Sequence, residues 1–215
     1  MAERELWTGQ PPGSNPFALP RGPLGRAAGW VLAVTNRAQN AEVLRAAGVA
    51  GCRRVLEVGH GPGVLVRMLA EVPGLSVTGV DPSPEMVAMA RRRNAAAVRA
   101  GRVRLHRGTA ADTGEPDAAF DLVLSVNTVA MWPYLDPGMA EFHRVLRPGG
   151  RAVITWHRFP ESFRLTPEQL ARVEEAMALR FGAARRRMLP GSVVFEAVKE
   201  ARAVPGGSAR AVQGA

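Results

Sequence analysis

The stretch Val55-Leu56-Glu57-Val58-Gly59-His60-Gly61-Pro62-Gly63 decides how this chain is read. A short apolar run gives way to three glycines at alternate positions, and a helical pattern follows over residues 64–71. The run, residues 53–58, reads as a buried strand, so the local order is strand, turn, helix. Glycine supplies positive φ and lets a ligand approach the backbone, and open α/β sheets bind ligands at such turns. A tight turn is the commoner use of glycine, so the spacing has to discriminate. The dinucleotide turn is G-x-G-x-x-G, but Val64 stands where its third glycine would fall, and Gly63 comes one residue earlier. That spacing opposes a dinucleotide oxidoreductase. Glu57 places a carboxylate on an otherwise apolar strand, where it either caps N–H groups of the turn or offsets positive charge on a ligand.

Outward from that turn the pattern alternates. Strands are predicted at 75–80, 103–106, 120–126 and 152–156, with helices at 84–98 and 137–146; Ser83 is placed to cap the first of these. Strands alternating with helices imply right-handed βαβ units and a parallel sheet. After a helix at 167–180, segments 184–189 and 193–198 flank Pro190-Gly191 and read as a hairpin. Upstream, residues 1–24 are rich in Pro and Gly with apolar anchors at Leu6, Trp7, Phe17, Leu19 and Leu24, an irregular arm. A helical pattern covers 25–47 and stops at Gly48. We expect an arm and covering helix over 1–48, one α/β domain over 49–201 and a frayed tail over 202–215.

Composition sets the outer bounds. The 215 residues are 47% hydrophobic and 22% charged, an ordinary globular balance. No run approaches the ~20 apolar residues of a membrane span, and the start Met1-Ala2-Glu3-Arg4-Glu5 lacks a secretory apolar stretch. The lone Cys52 excludes an internal disulfide and a cysteine metal cluster, and no metal ligand set is expected. These features predict a cytoplasmic setting. The net charge of +9 is carried almost wholly by arginine, with Lys199 the single lysine. A chain rich in Arg, Ala, Gly and Pro reflects GC-rich coding, so the charge reads as solvated surface before it reads as a nucleic-acid face.

The second strand ends at Asp81, where a carboxylate can accept both hydroxyls of a ribose; the alternative is a helix-start residue ahead of Pro82-Ser83-Pro84. Together, Glu57-x-Gly59-x-Gly61-x-Gly63, Asp81, and Arg144-Val145-Leu146-Arg147-Pro148-Gly149-Gly150 resemble the class I S-adenosylmethionine-dependent methyltransferases. The likeness is to the small-molecule enzymes of the ubiquinone/menaquinone-biosynthesis type and covers about residues 50–160. It implies a Rossmann-like, seven-stranded, mostly parallel sheet of order 3-2-1-4-5-7-6, strand 7 antiparallel, with helices on both faces. It further implies that S-adenosyl-L-methionine is the cofactor. Gly59, His60, Gly61 and Gly63 would cradle its methionine part, Asp81 its ribose, and Pro82 and Met86 the adenine side. Thr109 stands where the family often has Asp, so the adenine contact would come from Thr109 or Ala110. Thr113-Gly114-Glu115 replaces the family's Leu-Pro-Phe, so substrate contacts of that loop do not carry over.

The acceptor side is read from the residues. Trp132, Tyr134 and Trp156 fall after the fourth strand or at the end of the fifth, and aromatic walls suit a flat or apolar small molecule. Asn36 and Asn40 are four apart on one helix face, either solvated or aimed at acceptor and cofactor. Asn127 would meet the cofactor's amino-acid end. His157, directly after the fifth strand, is the candidate general base; His143 is expected to be exposed. The expected activity is in-line methyl transfer to O, N or C of a small-molecule acceptor. The alternatives are an RNA methyltransferase, drawn from the charge, and a non-catalytic cofactor-binding module. Nucleic acid is disfavoured because Ser125-Val126-Asn127-Thr128 stands where amino-directed nucleic-acid enzymes carry Asn-Pro-Pro-Tyr. With no large inserted lid, either the arm or a second subunit of a homodimer would close the pocket.

Overall fold

Apolar runs bounded by glycine or proline become strands here because one sheet buries them on both faces. The strands are β1 (Arg54–Val58), β2 (Ser76–Asp81), β3 (Val103–Arg107), β4 (Phe120–Val126), β5 (Leu146–His157), β6 (Arg185–Met188) and β7 (Ser192–Val198). In the computed structural model, which describes residues 6–9, 37–159 and 161–201, their order is β3-β2-β1-β4-β5-β7-β6. β1 to β5 pair in parallel, whereas β7 runs antiparallel to both β5 and β6. The sheet order and the terminal hairpin are as expected from the sequence.

Two cores sandwich the sheet. Helices α1 (Arg37–Ala47), α2 (Val64–Ala70), α3 (Pro84–Arg93) and α4 (Ala95–Arg99) lie on one face, where Val55, Leu122 and Val153 meet Leu65, Leu69 and Ala90. Helices α5 (Leu135–Val145) and α6 (Pro167–Phe181) cover the other, where Leu56, Val123 and Ile154 meet Phe142 and Met177. Burying one such side chain completely contributes on the order of 1.5–3 kcal/mol. α6 starts at a capping box in which Thr166 and Gln169 satisfy each other's backbone N–H, and Gly182 ends it. Among the described residues no helix is long and apolar enough to cross a membrane.

Three expectations need correction. The helix predicted over 84–98 breaks at Asn94, whose amide turns back to donate to the carbonyls of Ala90 (2.9 Å) and Gly63 (3.1 Å). A side chain that bonds nearby backbone competes with the helix. The fifth strand is longer than 152–156, because Arg147-Pro148-Gly149-Gly150 continues it. Gly149 donates to the Lys199 carbonyl and Lys199 to that of Gly150, and the register with β4 shifts between Phe120 and Leu122. His143 is half-buried, its ring edge-on to Phe181 at 5.2 Å. Of the helix predicted over 25–47, only Arg37–Ala47 lies among the described residues.

Candidate active site

The C-terminal edge of the sheet gathers the predicted residues. Leaving β1, the chain hooks onto β2: the N–H groups of Gly59 (2.8 Å) and His60 (3.3 Å) both donate to the Val80 carbonyl. Gly59 has φ +75, and a Cβ there would stand 2.3 Å from Cγ2 of Thr128 in the loop after β4. Gly63 starts α2 at φ +76, and its Cβ would stand 2.6 Å from Cβ of Ala90 on α3. Both positions therefore need glycine for conformation and for space. Gly61 between them faces open space. Its N–H donates to Oδ2 of Asp81 (2.8 Å), while Ser83 N–H donates to Oδ1 (2.9 Å). The turn and the carboxylate are thus one unit, and each carboxylate oxygen keeps acceptor capacity for a further donor.

Three ionisable groups are buried in this unit. Glu57 lies on β1 opposite Gly79 of β2, and no protein group bonds its Oε2. Burial, reinforced by the Asp81 charge, raises its pKa well above the usual carboxylate range. Asp81 is also raised by burial, against the pull of His60 and the amides of Ser83 and Gly61. His60 is lowered by burial, with Asp81 opposing. Its Nδ1 is 2.7 Å from the Gly61 carbonyl, and its ring packs over Gly79. His60 thus braces the turn from the protein side.

Downstream, Met86 is buried and Pro82 half-buried beside Ser83, whose hydroxyl accepts from Met86 N–H and caps α3. Thr109 is exposed, its hydroxyl accepting from Asp112 N–H (3.1 Å), and Ala110 packs against the core. Thr113 is fully buried, where its N–H (2.9 Å) and hydroxyl (2.5 Å) both donate to Oε1 of Glu141. Arg144 binds the same carboxylate and the Glu115 carbonyl, so the departure from the family's Leu-Pro-Phe is a polar anchor between loop and α5.

The aromatic residues divide. Trp132 and Trp156 stand in the core, with indole N–H groups donating to Thr128 Oγ1 (3.1 Å) and the Phe163 carbonyl (2.7 Å). Tyr134 is exposed. Trp7 is also core, donating to the Val129 carbonyl (2.7 Å) beneath the Arg172 guanidinium. Asn36 lies outside the described residues, and Asn40 is buried. Asn127, at φ +57, exchanges bonds with Gln39 of α1: Nδ2 donates to Gln39 Oε1 (2.8 Å), and Gln39 Nε2 donates back to Oδ1 (3.3 Å). Gln39 Nε2 also donates to Ser192 Oγ (3.0 Å). His157 pairs with Ser192 across β5 and β7, and its Nε2 is buried without a partner. Burial lowers its pKa against a bond to the Phe163 backbone, which favours a neutral ring.

Gln39, Thr128 and Ser192 are not marked by the sequence. Gln39 neighbours Asn40, but side-chain pairing across the sheet has no local signature. Among the described residues no His/Cys/Asp/Glu group could hold a metal ion.

The methyltransferase-domain family model matches residues 55–150. An uncharacterised methyltransferase of Bacillus subtilis is 32% identical over 158 residues, 73% of this chain and 84% of its own length. A demethylmenaquinone methyltransferase of Chlorobaculum parvum is 38% identical over 109 residues, 51% of this chain and only 43% of that relative. Among solved structures, a phosphoethanolamine N-methyltransferase of Haemonchus contortus in complex with S-adenosyl-L-methionine superposes with a TM-score of 0.71. The identity is 21%, over 89% of this chain and 61% of that one, a likeness of fold.

Proposed function

The chain belongs to the S-adenosylmethionine-dependent methyltransferases, and from that premise we propose that it methylates O, N or C of a small-molecule acceptor, with the turn after β1 and Asp81 as its cofactor cradle. The reading rests chiefly on one observation: Gly61 N–H reaches Asp81 Oδ2 at 2.8 Å, beside a buried Glu57 oxygen that no protein group bonds. An open glycine turn, an unmet buried acceptor and a carboxylate with spare lone pairs fit an amino-acid tail and a ribose. When bound, the cofactor supplies an electrophilic methyl group on a sulfonium sulfur.

The protein supplies position and proton handling. Glu57 accepts hydrogen bonds from the ammonium group, and Gly59, His60, Gly61 and Gly63 present main chain to the methionine part. Asp81 receives the ribose hydroxyls, with Pro82, Met86, Thr109 and Ala110 along the adenine. Asn127, held by Gln39, borders the amino-acid end. Alignment of the acceptor behind the methyl group provides most of the acceleration. Where the acceptor carries a proton, His157 takes it at Nε2, kept neutral by burial. Turnover of such an acceptor falls as pH drops through the lowered histidine pKa. Small-molecule acceptors fit the likeness to demethylmenaquinone methyltransferases, and the single cysteine fits a cytoplasmic setting.

The test is calorimetric titration with S-adenosylhomocysteine. Wild type should bind, and Asp81→Ala should weaken binding by ~1–3 kcal/mol, as hydrogen bonds to a charged acceptor are lost. Unchanged affinity would remove Asp81 from the ribose.

A further inference from the structure

Helix α3 meets the candidate cofactor cradle at both ends. At its start Ser83 N–H donates to Oδ1 of Asp81 (2.9 Å). At its finish two consecutive side chains turn back onto the glycine turn. Arg93 Nη1 donates to the Pro62 carbonyl (2.5 Å), and Asn94 Nδ2 donates to that of Gly63 (3.1 Å). The carbonyl of Gly61, just before them, lies 2.7 Å from His60 Nδ1. Successive carbonyls of the turn therefore each face a side chain. Gly63 also takes a main-chain bond, from Arg67 N–H (3.2 Å), whereas among the described residues no main-chain N–H bonds the Pro62 oxygen.

Both side chains are placed there at a cost. Asn94 interrupts the helix, and its Oδ1 is buried without a partner, which is unfavourable. Arg93 is half-buried, and burial together with the neighbouring Arg67 charge lowers its pKa. Residues that work against local preference are expected where a site requires them. What their bonds supply is a fixed peptide plane. Turning the 62–63 peptide over needs only opposite rotations about ψ of Pro62 and φ of Gly63, and Gly63, at φ +76, accepts either sign. The flip would take the oxygen off Arg93 and the Gly63 N–H off the His60 carbonyl, which it meets at 3.0 Å. The Gly61 N–H that bonds Asp81 belongs to a different peptide, so the carboxylate keeps its partners through the flip. We infer that Arg93 and Asn94 are positioning residues of the cradle: by holding the Pro62 and Gly63 carbonyls they set its affinity for the amino-acid tail of the cofactor and leave the adenosine half to Asp81. This rests on the methyltransferase reading and adds to it two residues that act only through the turn. The surface offered to the ligand stays main chain, and the side chains work from behind it.

Two probes separate the halves: S-adenosylhomocysteine carries the tail, and 5′-methylthioadenosine lacks it but keeps the adenosine. Calorimetry measures both on wild type, Arg93→Met, Arg93→Lys and Asn94→Ala. Arg93→Met keeps the apolar stem and removes the donors, so S-adenosylhomocysteine should bind about five- to tenfold more weakly while 5′-methylthioadenosine stays within about twofold. The melting temperature should move by less than about 2 °C, because a half-exposed side chain adds little to stability. Arg93→Lys should recover most of the lost affinity, since a single bond to a carbonyl does not need the guanidinium fork. Asn94→Ala should show the same selective loss to a smaller extent, since Arg67 N–H still holds the Gly63 carbonyl. Equal weakening of the two probes by Arg93→Met would reduce its role to general structure and overturn the inference, and so would unchanged affinity for S-adenosylhomocysteine. Wild type that binds neither probe would overturn the methyltransferase reading, and this inference with it.

Discussion

The two halves of the sheet's C-terminal edge are built differently. At β1 and β2 the main chain does the holding: Gly59 and His60 bond Val80, and the amides of Gly61 and Ser83 bond Asp81. At β4, β5 and β7 side chains do it, from a helix far away in sequence. Gln39 reaches Asn127 across 88 residues and Ser192 across 153, and Glu42 reaches Gly191 across 149. A cradle made of backbone tolerates little change, because Gly59 and Gly63 fill a conformational and a steric requirement and Gly61 a conformational one. An edge made of side chains can be rebuilt one residue at a time. The first suits a ligand that never varies and the second one that defines a particular enzyme.

The sharpest way to break this contrast is at Gly63. Adding a methyl group forces a side chain into positive φ and places it 2.6 Å from Ala90 Cβ. Gly63→Ala should cost about 2–5 kcal/mol of stability, from left-handed strain plus overpacking. Binding of S-adenosylhomocysteine should be lost with it. Denaturant unfolding checks the first and calorimetry the second; a variant as stable as wild type would mean the turn is not held as tightly as described.

Glu57 sharpens the same contrast through pH. Its pKa is raised in the folded protein, so folding takes up a proton over the range from the ordinary value of 4.5 upward. Stability from this group is therefore full below the unfolded pKa and lost as pH rises through the folded one. A bound ammonium group reverses the preference, since it favours the carboxylate. Affinity for S-adenosylhomocysteine should thus increase with pH above 4.5 as Glu57 ionises. Glu57→Gln should flatten that dependence and weaken binding at neutral pH by about 1.5–3 kcal/mol, the value of a bond to a charged group. The same variant without ligand should melt higher than wild type. A steep pH dependence that survives the substitution would shift its origin to Asp81 and His60.

What could be read in the sequence follows the same division. The alternating strands and helices, the hairpin and the turn were legible because local periodicity and glycine spacing specify them, whereas the strand order followed only from the family resemblance. Asp81 was legible because it ends a strand next to such a turn. That it accepts from the N–H groups of both Gly61 and Ser83 was not, since that depends on how two loops meet. The break at Asn94 was hidden because part of its cause lies in the carbonyl of Gly63, just ahead of α2. Trp132 and Trp156 looked like pocket walls because aromatic residues after strands 4 and 5 serve packing and recognition equally well; burial distinguishes them. Gln39, Glu42 and Ser192 carry no signal at all in a single sequence.

The weakest expected effect tests whether the two halves are separable. Gln39→Ala removes three side-chain bonds that fasten α1 to the edge, none of which touches the turn after β1. The loss per neutral bond is ~0.5–1.5 kcal/mol, reduced here because the half-buried site lets water replace part of it. We therefore expect a fall in stability of about 1 kcal/mol, read as a lower denaturant midpoint at constant slope. Affinity for S-adenosylhomocysteine should change by less than about threefold, because Asn127 keeps its backbone bond to Thr155 and borders only one end of the ligand. If cofactor affinity collapsed, Gln39 would belong to the cradle, and the boundary between backbone-built and side-chain-built halves would have to move across β4.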